Sequence, residues 1–473
     1  MTKQVYLAAD FGGGSGRVIA GSLTDGRLGL EEIYRFPNRQ IRLGERLCWD
    51  FPALFEELKN GLKAAARKGL EVKGIGIDTW GVDFGLIDRN GNLIGNPVCY
   101  RDSRTDGMPD EVFSKLDRRE HYAVTGIQVM QINTLFQLCA MKRSNDPQLE
   151  IAERLLFMPD LFGYFLTGNA DNEYCIASTS ELLDARRRDW SHETIRALGL
   201  PEKIFGKIIA PGTLRGTLRS DIAEETGLGA VKVYAVGSHD TASAVAAVPS
   251  AGRPVAFLSS GTWSLLGAEV DEPILTEDAR TAEFTNEGGV GGRIRFLQNI
   301  TGLWILQRLM SEWKEQGEEQ QYGVIIPQAA EARIETVIPV DAPEFMNPAS
   351  MERAIGDYCR THSLTPPQGK AETVRCVLQS LAHKYRQAVE GMNRSLAEPI
   401  KQLNIIGGGS QNELLNQLTA DALGIPVHAG PVEATAVGNI LTQAMAEGEI
   451  ADLEELRAIV GRSVSPKVYY PKK

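Results

Sequence analysis

Two distant segments of the sequence share one local pattern: an apolar strand, a turn of small residues and a returning strand. In the first segment, Val5–Asp10 is apolar and ends in an acid, glycines dominate Gly12–Gly16, and Arg17–Leu23 alternates as a strand. In the second segment, the apolar Pro254–Leu258 precedes the turn Ser259-Ser-Gly-Thr262 and another strand pattern. The repetition predicts two similar lobes, and a length of 473 residues exceeds what one hydrophobic core usually supports.

The first lobe is predicted to open with three antiparallel strands, a helix and a further strand. Asp25-Gly26 is a strong hairpin signal, and Leu28–Phe36 supplies the third strand. Asp50 is the expected N-cap of the helix, and Lys73–Asp78 is the next strand. This order differs from the alternating strands and helices of a dinucleotide-binding domain, and the G-x-G-x-x-G spacing is missing. A NAD-dependent dehydrogenase is therefore disfavoured.

A domain boundary is predicted at the turn-rich segment Ser250–Pro254, directly after Pro249 stops a helix. The expected domains are residues 1–249, with the phosphate loop and the sugar site, and residues 250–473, with the nucleotide site.

Composition restricts the class of protein and of partner. Hydrophobic residues make up 43% and charged residues 23%, which is ordinary for a soluble globular protein. The net charge of −11 disfavours non-specific binding to nucleic acid or to an anionic membrane. No secretory signal is visible, and the apolar segment Leu155–Leu166 is too short to cross a bilayer, so a cytoplasmic location is expected.

The six cysteines have no zinc-ligand spacing and are expected to be buried free thiols. Cys359 and Cys376 are near enough in sequence that a disulfide between them stays open.

The segment Asp10-Phe-Gly-Gly-Gly-Ser-Gly-Arg17 combines an acid, a glycine turn and a cation. Glycines let backbone N–H groups approach a phosphate and adopt conformations forbidden to other residues. Asp10 could hold Mg²⁺ through water, and Arg17 adds positive charge. The alternative is a plain glycine-rich hairpin turn, since the P-loop spacing is absent.

Two further segments carry acids that could act on a substrate. In Gly76-Ile-Asp-Thr-Trp-Gly-Val-Asp-Phe84, a strand would deliver Asp78 to a ligand site, and Gly81 would leave room for a sugar. The alternative is a polar turn with a core tryptophan. In Gly237-Ser-His-Asp-Thr241, Asp240 opens a helix, where the helix dipole would keep a proton acceptor ionised. Its alternative role is that of an ordinary helix N-cap.

Three weaker signals complete the pattern. The turns Ser259–Trp263 and Gly407–Ser410 could bind phosphate and nucleotide respectively, and the amide of Asn299 suits a sugar hydroxyl or a loop turn. Together with the acids, this combination predicts a two-lobed phosphotransferase that holds a nucleotide between its lobes.

At these motifs the chain resembles the FGGY carbohydrate kinases over nearly its whole length. The likeness is carried by Asp78–Phe84, Tyr100-Arg-Asp-Ser-Arg-Thr105, Gly237–Thr241 and Asn299-Ile-Thr-Gly-Leu-Trp304. It implies two ribonuclease H-like, actin-type ATPase domains with a central nucleotide and sugar cleft. It also implies ATP and Mg²⁺ as cofactors and a ketose substrate, with L-rhamnulose expected and L-fuculose as the alternative.

The resemblance also implies roles for particular residues. Asp240 matches the catalytic base, and Asp10 falls at the metal-linked acid. The positions that match sugar contacts are Gly81, His239, Asp240, Thr241 and Asn299. The positions that match ATP contacts are Gly13, Gly14, Ser15, Gly16, Arg17, Thr262, Gln307 and Gly408.

One departure from the family pattern restricts the range of possible substrates, and one other class of protein remains as an alternative. Many members carry Pro-x-x-Lys-Leu-x-Trp where this chain has Val129–Gln137, which disfavours a glycerol or xylulose kinase. The rival is a nucleotide-switched interaction protein like actin or Hsp70, although no long amphipathic tail or added domain is visible.

Overall fold

The computed structural model describes residues 3–249 and 254–472. The strands are β1 (Gln4–Phe11), β2 (Ser15–Thr24), β3 (Arg27–Pro37), β4 (Gln40–Leu43), β5 (Arg46–Trp49), β6 (Glu71–Thr79), β7 (Phe84–Asp88), β8 (Ala152–Phe157), β9 (Asn172–Glu173), β10 (Leu183–Asp184), β11 (Asp189–Trp190), β12 (Ile208–Ile209), β13 (Leu214–Thr217), β14 (Lys232–Tyr234), β15 (Ala256–Ser260), β16 (Trp263–Val270), β17 (Thr285–Gly288), β18 (Ile294–Thr301), β19 (Leu403–Ile406), β20 (Val427–Ala429) and β21 (Lys467–Tyr469). The helices are α1 (Phe51–Arg67), α2 (Met108–Phe113), α3 (Arg118–Thr125), α4 (Thr134–Arg143), α5 (Gln148–Ile151), α6 (Met158–Thr167), α7 (Tyr174–Ala177), α8 (His192–Ala197), α9 (Ser220–Thr226), α10 (Asp240–Ala246), α11 (Glu277–Thr281), α12 (Trp304–Glu315), α13 (Tyr322–Glu331), α14 (Met351–Thr361), α15 (Gly369–Asn393), α16 (Glu413–Leu423), α17 (Ala434–Ala446) and α18 (Leu453–Ser463).

The chain divides into two compact units, and each unit takes segments from both halves of the sequence. The first unit comprises Met1–Ala251, Glu269–Phe296 and Ala434–Ser463, and the second comprises Gly252–Ala268, Leu297–Glu433 and Val464–Lys473. The turn at residues 250–253 on which the domain boundary was predicted lies outside the described residues. The division into residues 1–249 and 250–473 stays a prediction.

A six-stranded sheet forms the centre of the first unit, in the order β13-β14-β6-β1-β2-β3. Strand β1 is antiparallel to β2 and parallel to β6, and β14 is parallel to β6. The predicted opening of three antiparallel strands, a helix and a further strand is confirmed. The short hairpin of β4 and β5 before the helix was not predicted.

Helix α1 begins where the sequence predicts. Asp50 is its N-cap, and one side-chain oxygen accepts a hydrogen bond from Ala53 N at 3.3 Å. Leu54, Leu58 and Leu62 recur every four residues, so they lie on one face and are buried in the core beneath the sheet.

The opposite face of the same sheet is covered by α17. Gly74 and Gly76 lie on this face of β6, where a Cβ at Gly74 would come within 2.8 Å of Gln443 Oε1. The absence of side chains on these glycines therefore lets the helix approach the strands. Gln443 Nε2 donates to Leu7 O at 3.0 Å, which fixes α17 against β1.

The second unit repeats the arrangement around its own central strand. Strand β15 is antiparallel to β16 and parallel to β19, as β1 is to β2 and β6. Strand β20 then adds parallel to β19, as β14 adds to β6. The predicted strand–turn–strand repetition is confirmed.

All six cysteines lie in the described part of the chain, and each is buried and free. The prediction of buried free thiols is confirmed, and it includes Cys359 and Cys376. Within residues 3–249 and 254–472, no helix combines the length and the apolar character needed to span a membrane.

Candidate active site

The register of three neighbouring strands brings three charged side chains together at one end of the first sheet. Asp10 is opposite Arg17 in the antiparallel pair and beside Asp78 in the parallel pair. Arg17 Nη2 lies 2.6 Å from Asp10 Oδ2. Thr79 N donates to Ser238 O at 2.9 Å, so the segment that leads into α10 lies next to these strand ends.

The carboxyl groups of Asp10 and Asp240 both influence the pKa of Asp78. Complete burial raises the pKa of Asp78 well above its usual value, and the negative charges of Asp10 and Asp240 raise it further. The hydrogen bond from Asn439 to Asp78 opposes this rise. The convergence of Asp240 with the Asp10 turn stays a prediction, which the influence of both carboxyl groups on Asp78 supports.

The local environment of Asp240 differs from the prediction in two ways. The N-cap of α10 is His239, and Asp240 is the first helical residue, so the N-cap alternative for Asp240 is wrong. The pKa of Asp240 is also raised, whereas the helix dipole alone would lower it. Partial burial raises the pKa of Asp240, and the negative charge of Asp10 adds to the rise, although His239 opposes it.

The carboxylate of Asp240 has one oxygen engaged by the protein. Asp240 Oδ1 accepts hydrogen bonds from Thr241 N at 2.5 Å and from Thr241 Oγ1 at 3.1 Å. About a third of the side chain, 32%, is exposed. Thr241 therefore holds Oδ1 at the first turn of α10.

The glycine turn between β1 and β2 provides space. Gly13, Gly14 and Ser15 are exposed, and a Cβ added at Gly13 or Gly14 would meet nothing within 4 Å. Gly16 instead packs against the Phe36 ring. None of the four glycines at positions 12, 13, 14 and 16 has a positive φ, so the expected use of forbidden backbone conformations is wrong.

The predicted sugar-contacting residues divide between the two units. Gly81 lies beside His239, because a Cβ at Gly81 would be 3.5 Å from His239 Nε2. Thr241 is buried and follows Asp240 on α10. Asn299 belongs to the second unit and lies within strand β18, so the loop-turn alternative is wrong. Trp80 is a core residue that donates to Asp83 Oδ2 at 3.0 Å, as the alternative for that segment predicted.

Two residues near His239 were missed by the sequence analysis. Glu287 Oε2 and Arg295 Nη2 each lie 3.2 Å from His239 Nδ1. The sequence contained one signal for them: the charged Arg295 lies inside the apolar segment Ile294–Leu297 of β18, where side chains are expected to be buried.

A cavity of about 1110 Å³ in the second unit contains two of the predicted ATP positions, Gln307 and Gly408. Thr262 Oγ1 donates to Gln307 Oε1 at 3.0 Å, so the third position contacts the lining. The walls combine apolar and polar side chains, including Tyr322, Ile326, Arg375 and Gln417. This size and lining are suited to a nucleotide.

The residues at the strand ends fit a magnesium ion bound through water. Asp78 Oδ1 is buried and has no hydrogen-bond partner among the described residues. Among residues 3–249 and 254–472, no cluster of three or more metal-binding side chains occurs. Mg²⁺ usually keeps several waters and takes one or two carboxylates, a requirement that Asp10 and Asp78 meet.

The class of protein follows from comparison with known families. Residues 5–247 match the N-terminal domain of the FGGY family of carbohydrate kinases, and residues 256–447 match its C-terminal domain. The chain therefore belongs to the FGGY family of carbohydrate kinases, and the predicted class of enzyme is confirmed. The dehydrogenase and actin-like or Hsp70-like alternatives are set aside by this match.

Individual relatives carry names that are more specific than the family name. The chain is 47% identical over 471 residues to a rhamnulokinase of Bacteroides thetaiotaomicron, covering 99% of this chain and 96% of the relative. It is 40% identical over 467 residues to a rhamnulokinase of Oceanobacillus iheyensis, covering 99% and 98%. The solved gluconate kinase of Lactobacillus acidophilus is similar with a TM-score of 0.82 at 14% identity, covering 100% of this chain and 94% of that one. The predicted fold of two ribonuclease H-like, actin-type domains is confirmed.

Proposed function

We propose that the protein uses ATP to phosphorylate L-rhamnulose to L-rhamnulose 1-phosphate, a step of L-rhamnose catabolism in the cytoplasm. The substrate is supported by relatives at 39–47% identity that carry the name rhamnulokinase. The observation that carries the chemistry is the carboxylate of Asp240, partly exposed and electrostatically coupled to Asp10 beside an open glycine turn. We further propose that residues 1–249 hold the sugar and phosphates and that residues 250–473 hold the nucleotide.

In the proposed mechanism, Asp240 accepts the proton of the primary hydroxyl of the sugar through Oδ2. A raised pKa makes this carboxylate a better proton acceptor than an ordinary aspartate. Gly81, His239, Thr241 and Asn299 bind the other sugar atoms. Phosphoryl transfer passes through a loose transition state, so correct positioning of the hydroxyl contributes much of the acceleration.

The phosphate end of ATP is assigned to the first glycine turn. Backbone N–H groups of Gly13, Gly14, Ser15 and Gly16 and the guanidinium of Arg17 bind and orient the phosphates. Thr262, Gln307 and Gly408 hold the rest of the nucleotide in the cavity of the second unit. A bound Mg²⁺, held by Asp10 through water, would supply positive charge to the phosphoryl oxygens.

The proposed substrate is tested by ADP release with Mg·ATP and a panel of L-rhamnulose, L-fuculose, xylulose and glycerol. We expect kcat/KM for L-rhamnulose to exceed that for each other acceptor by about tenfold or more, because a mismatched hydroxyl leaves polar groups in the site unpaired. A higher kcat/KM for L-fuculose would show that L-fuculose is the substrate, and the assignment as a sugar kinase would stand. ATP hydrolysis at one rate with every acceptor would contradict the kinase function itself.

The proposed nucleotide site is tested by Gly408→Leu. Gly408 lines the cavity, and a Cβ there meets no atom within 4 Å, so the backbone accepts a side chain at this position. We expect the KM for ATP to rise about tenfold, since a loss of about 1.4 kcal/mol in the binding free energy of ATP lowers its affinity by that factor. The KM for the sugar should stay nearly unchanged.

Gly356→Ala is the matched control for this variant, because Gly356 belongs to α14 of the same unit and is absent from the cavity lining. An unchanged KM for ATP in Gly408→Leu would place the nucleotide elsewhere.

A further inference from the structure

A buried ion pair lies behind His239 on the side away from Asp240. The side chain of Arg295 is 0% exposed and that of Glu287 is 6% exposed, and Arg295 Nη2 lies 3.0 Å from Glu287 Oε2. Both groups approach His239 Nδ1 at 3.2 Å, while His239 Nε2 lies 3.4 Å from Asp240 Oδ1. The imidazole ring therefore connects a buried ion pair to the carboxylate assigned as the base.

The ion pair is itself held firmly. Arg295 Nε donates to Gly288 O at 2.7 Å, and Gly288 N donates to Ser178 Oγ at 2.7 Å. Glu287 and Arg295 come from strands β17 and β18, so their backbones have little freedom to move. Burying an ion pair has a large desolvation penalty, and an apolar pair of similar volume is often at least as stable. Fold stability alone therefore gives a weak reason for two charges at this place.

The charges around Nδ1 fix the orientation of the His239 ring. Burial acts to raise the pKa of Glu287, but Arg295 and His239 outweigh it and hold this pKa below its usual value. Glu287 is thus ionised at neutral pH, and its Oε2 has no aligned hydrogen-bond partner among the described residues. Arg295, which can only donate, and the ionised Glu287 both face Nδ1, so the ion pair fixes this side of the ring and Nε2 faces Asp240 and Gly81.

We propose that Glu287 and Arg295 are positioning residues for the sugar: they hold Nδ1 of His239, so that Nε2 is presented to a sugar hydroxyl beside Asp240. The missing side chain of Gly81 keeps the space in front of Nε2 open, since a Cβ there would lie 3.5 Å away. The inference rests on the proposed kinase function and adds two residues to its sugar site. Neither residue touches the sugar, and both act through His239.

A double-mutant cycle tests this role with the full chain. Glu287→Gln is expected to raise the KM for the sugar about tenfold, the effect of losing one charge-assisted hydrogen bond, with the KM for ATP changed less than about twofold. In a His239→Ala background, Glu287→Gln should change the sugar KM less than about twofold, because interacting residues are not additive. An equal effect in both backgrounds, or an equal rise in the KM for ATP, would overturn the proposal.

A second variant covers the case in which Glu287→Gln does not fold. Glu287→Gln combined with Arg295→Met removes both charges and leaves no buried charge unpaired, so the chain should fold with a Tm near that of the parent. Its sugar KM should remain raised, and a normal sugar KM would contradict the positioning role. Glu181→Gln is the matched control: it alters another buried carboxylate, 3.1 Å from His121, and should leave the sugar KM unchanged.

The outcome also separates this inference from the proposed function. If Asp240→Asn loses activity and Glu287→Gln does not, the kinase assignment stands and the positioning role is wrong. If the parent protein phosphorylates no sugar, the proposed function is wrong.

Discussion

Asp240→Asn is expected to lower kcat by about a thousandfold while changing the KM for ATP less than about twofold, since general base catalysis contributes on this scale. Asparagine keeps an oxygen in the place of Oδ1, which accepts hydrogen bonds from Thr241 N and Thr241 Oγ1. The variant should therefore keep its local structure and lose the capacity to take a proton. Single-turnover phosphorylation and calorimetric ATP binding measure the two effects separately.

Asp50→Asn is the matched control for this variant. It makes the same chemical change at the N-terminus of α1, where asparagine caps a helix as well as aspartate does, and kcat should stay at the parent value. Near-normal turnover by Asp240→Asn would remove Asp240 from the role of base.

The pH profile gives an independent view of the same group. Because the pKa of Asp240 is raised and the ionised form is active, kcat/KM should fall as pH decreases through a value above the ordinary 3.8 of an aspartate. Asp240→Asn should lose this acidic limb. A limb that persists in the variant would belong to another group.

Gly438→Ala is expected to destabilise the first unit by about 2–3 kcal/mol, although alanine usually stabilises a helix interior relative to glycine. Gly438 lies in α17 where it packs against α10, and an added Cβ would overlap the carbonyl oxygen of Ser243 and lie 3.2 Å from Ser243 Cα. The obstacle is backbone, so a side-chain rotation cannot remove the clash. Because α10 begins with Asp240, the displacement should also lower kcat by about tenfold or more.

Thermal unfolding and kcat measure the two parts of this prediction. Gly461→Ala is the control, because a Cβ at this position of α18 would be 4.0 Å from its nearest neighbour, Pro249 Cβ. Its Tm should equal or exceed that of the parent. If Gly438→Ala is as stable as Gly461→Ala, the close packing of α10 on α17 is wrong.

Local patterns were enough to predict much of the architecture. The Asp50 cap and the repeated hairpins depend on residues that are near in sequence, and both are confirmed.

Properties that depend on distant neighbours were not predicted. The direction of the pKa shift of Asp240 follows from partial burial and from Asp10, neither of which the helix-opening motif reveals. Glu287 and Arg295 reach His239 only through the packing of β17 and β18, so no spacing in the sequence connects the three residues. The role of Gly438 likewise depends on a helix that begins almost two hundred positions earlier in the chain.

The late return of α17 to the first sheet has a consequence for biosynthesis. Asn439 hydrogen-bonds to Asp78, and Gln443 reaches the backbone of Leu7, so the face of β1 and β6 that carries the acids lacks these partners until residues 434–463 have been made. A nascent chain on the ribosome therefore carries the acids of the site long before it can complete their surroundings.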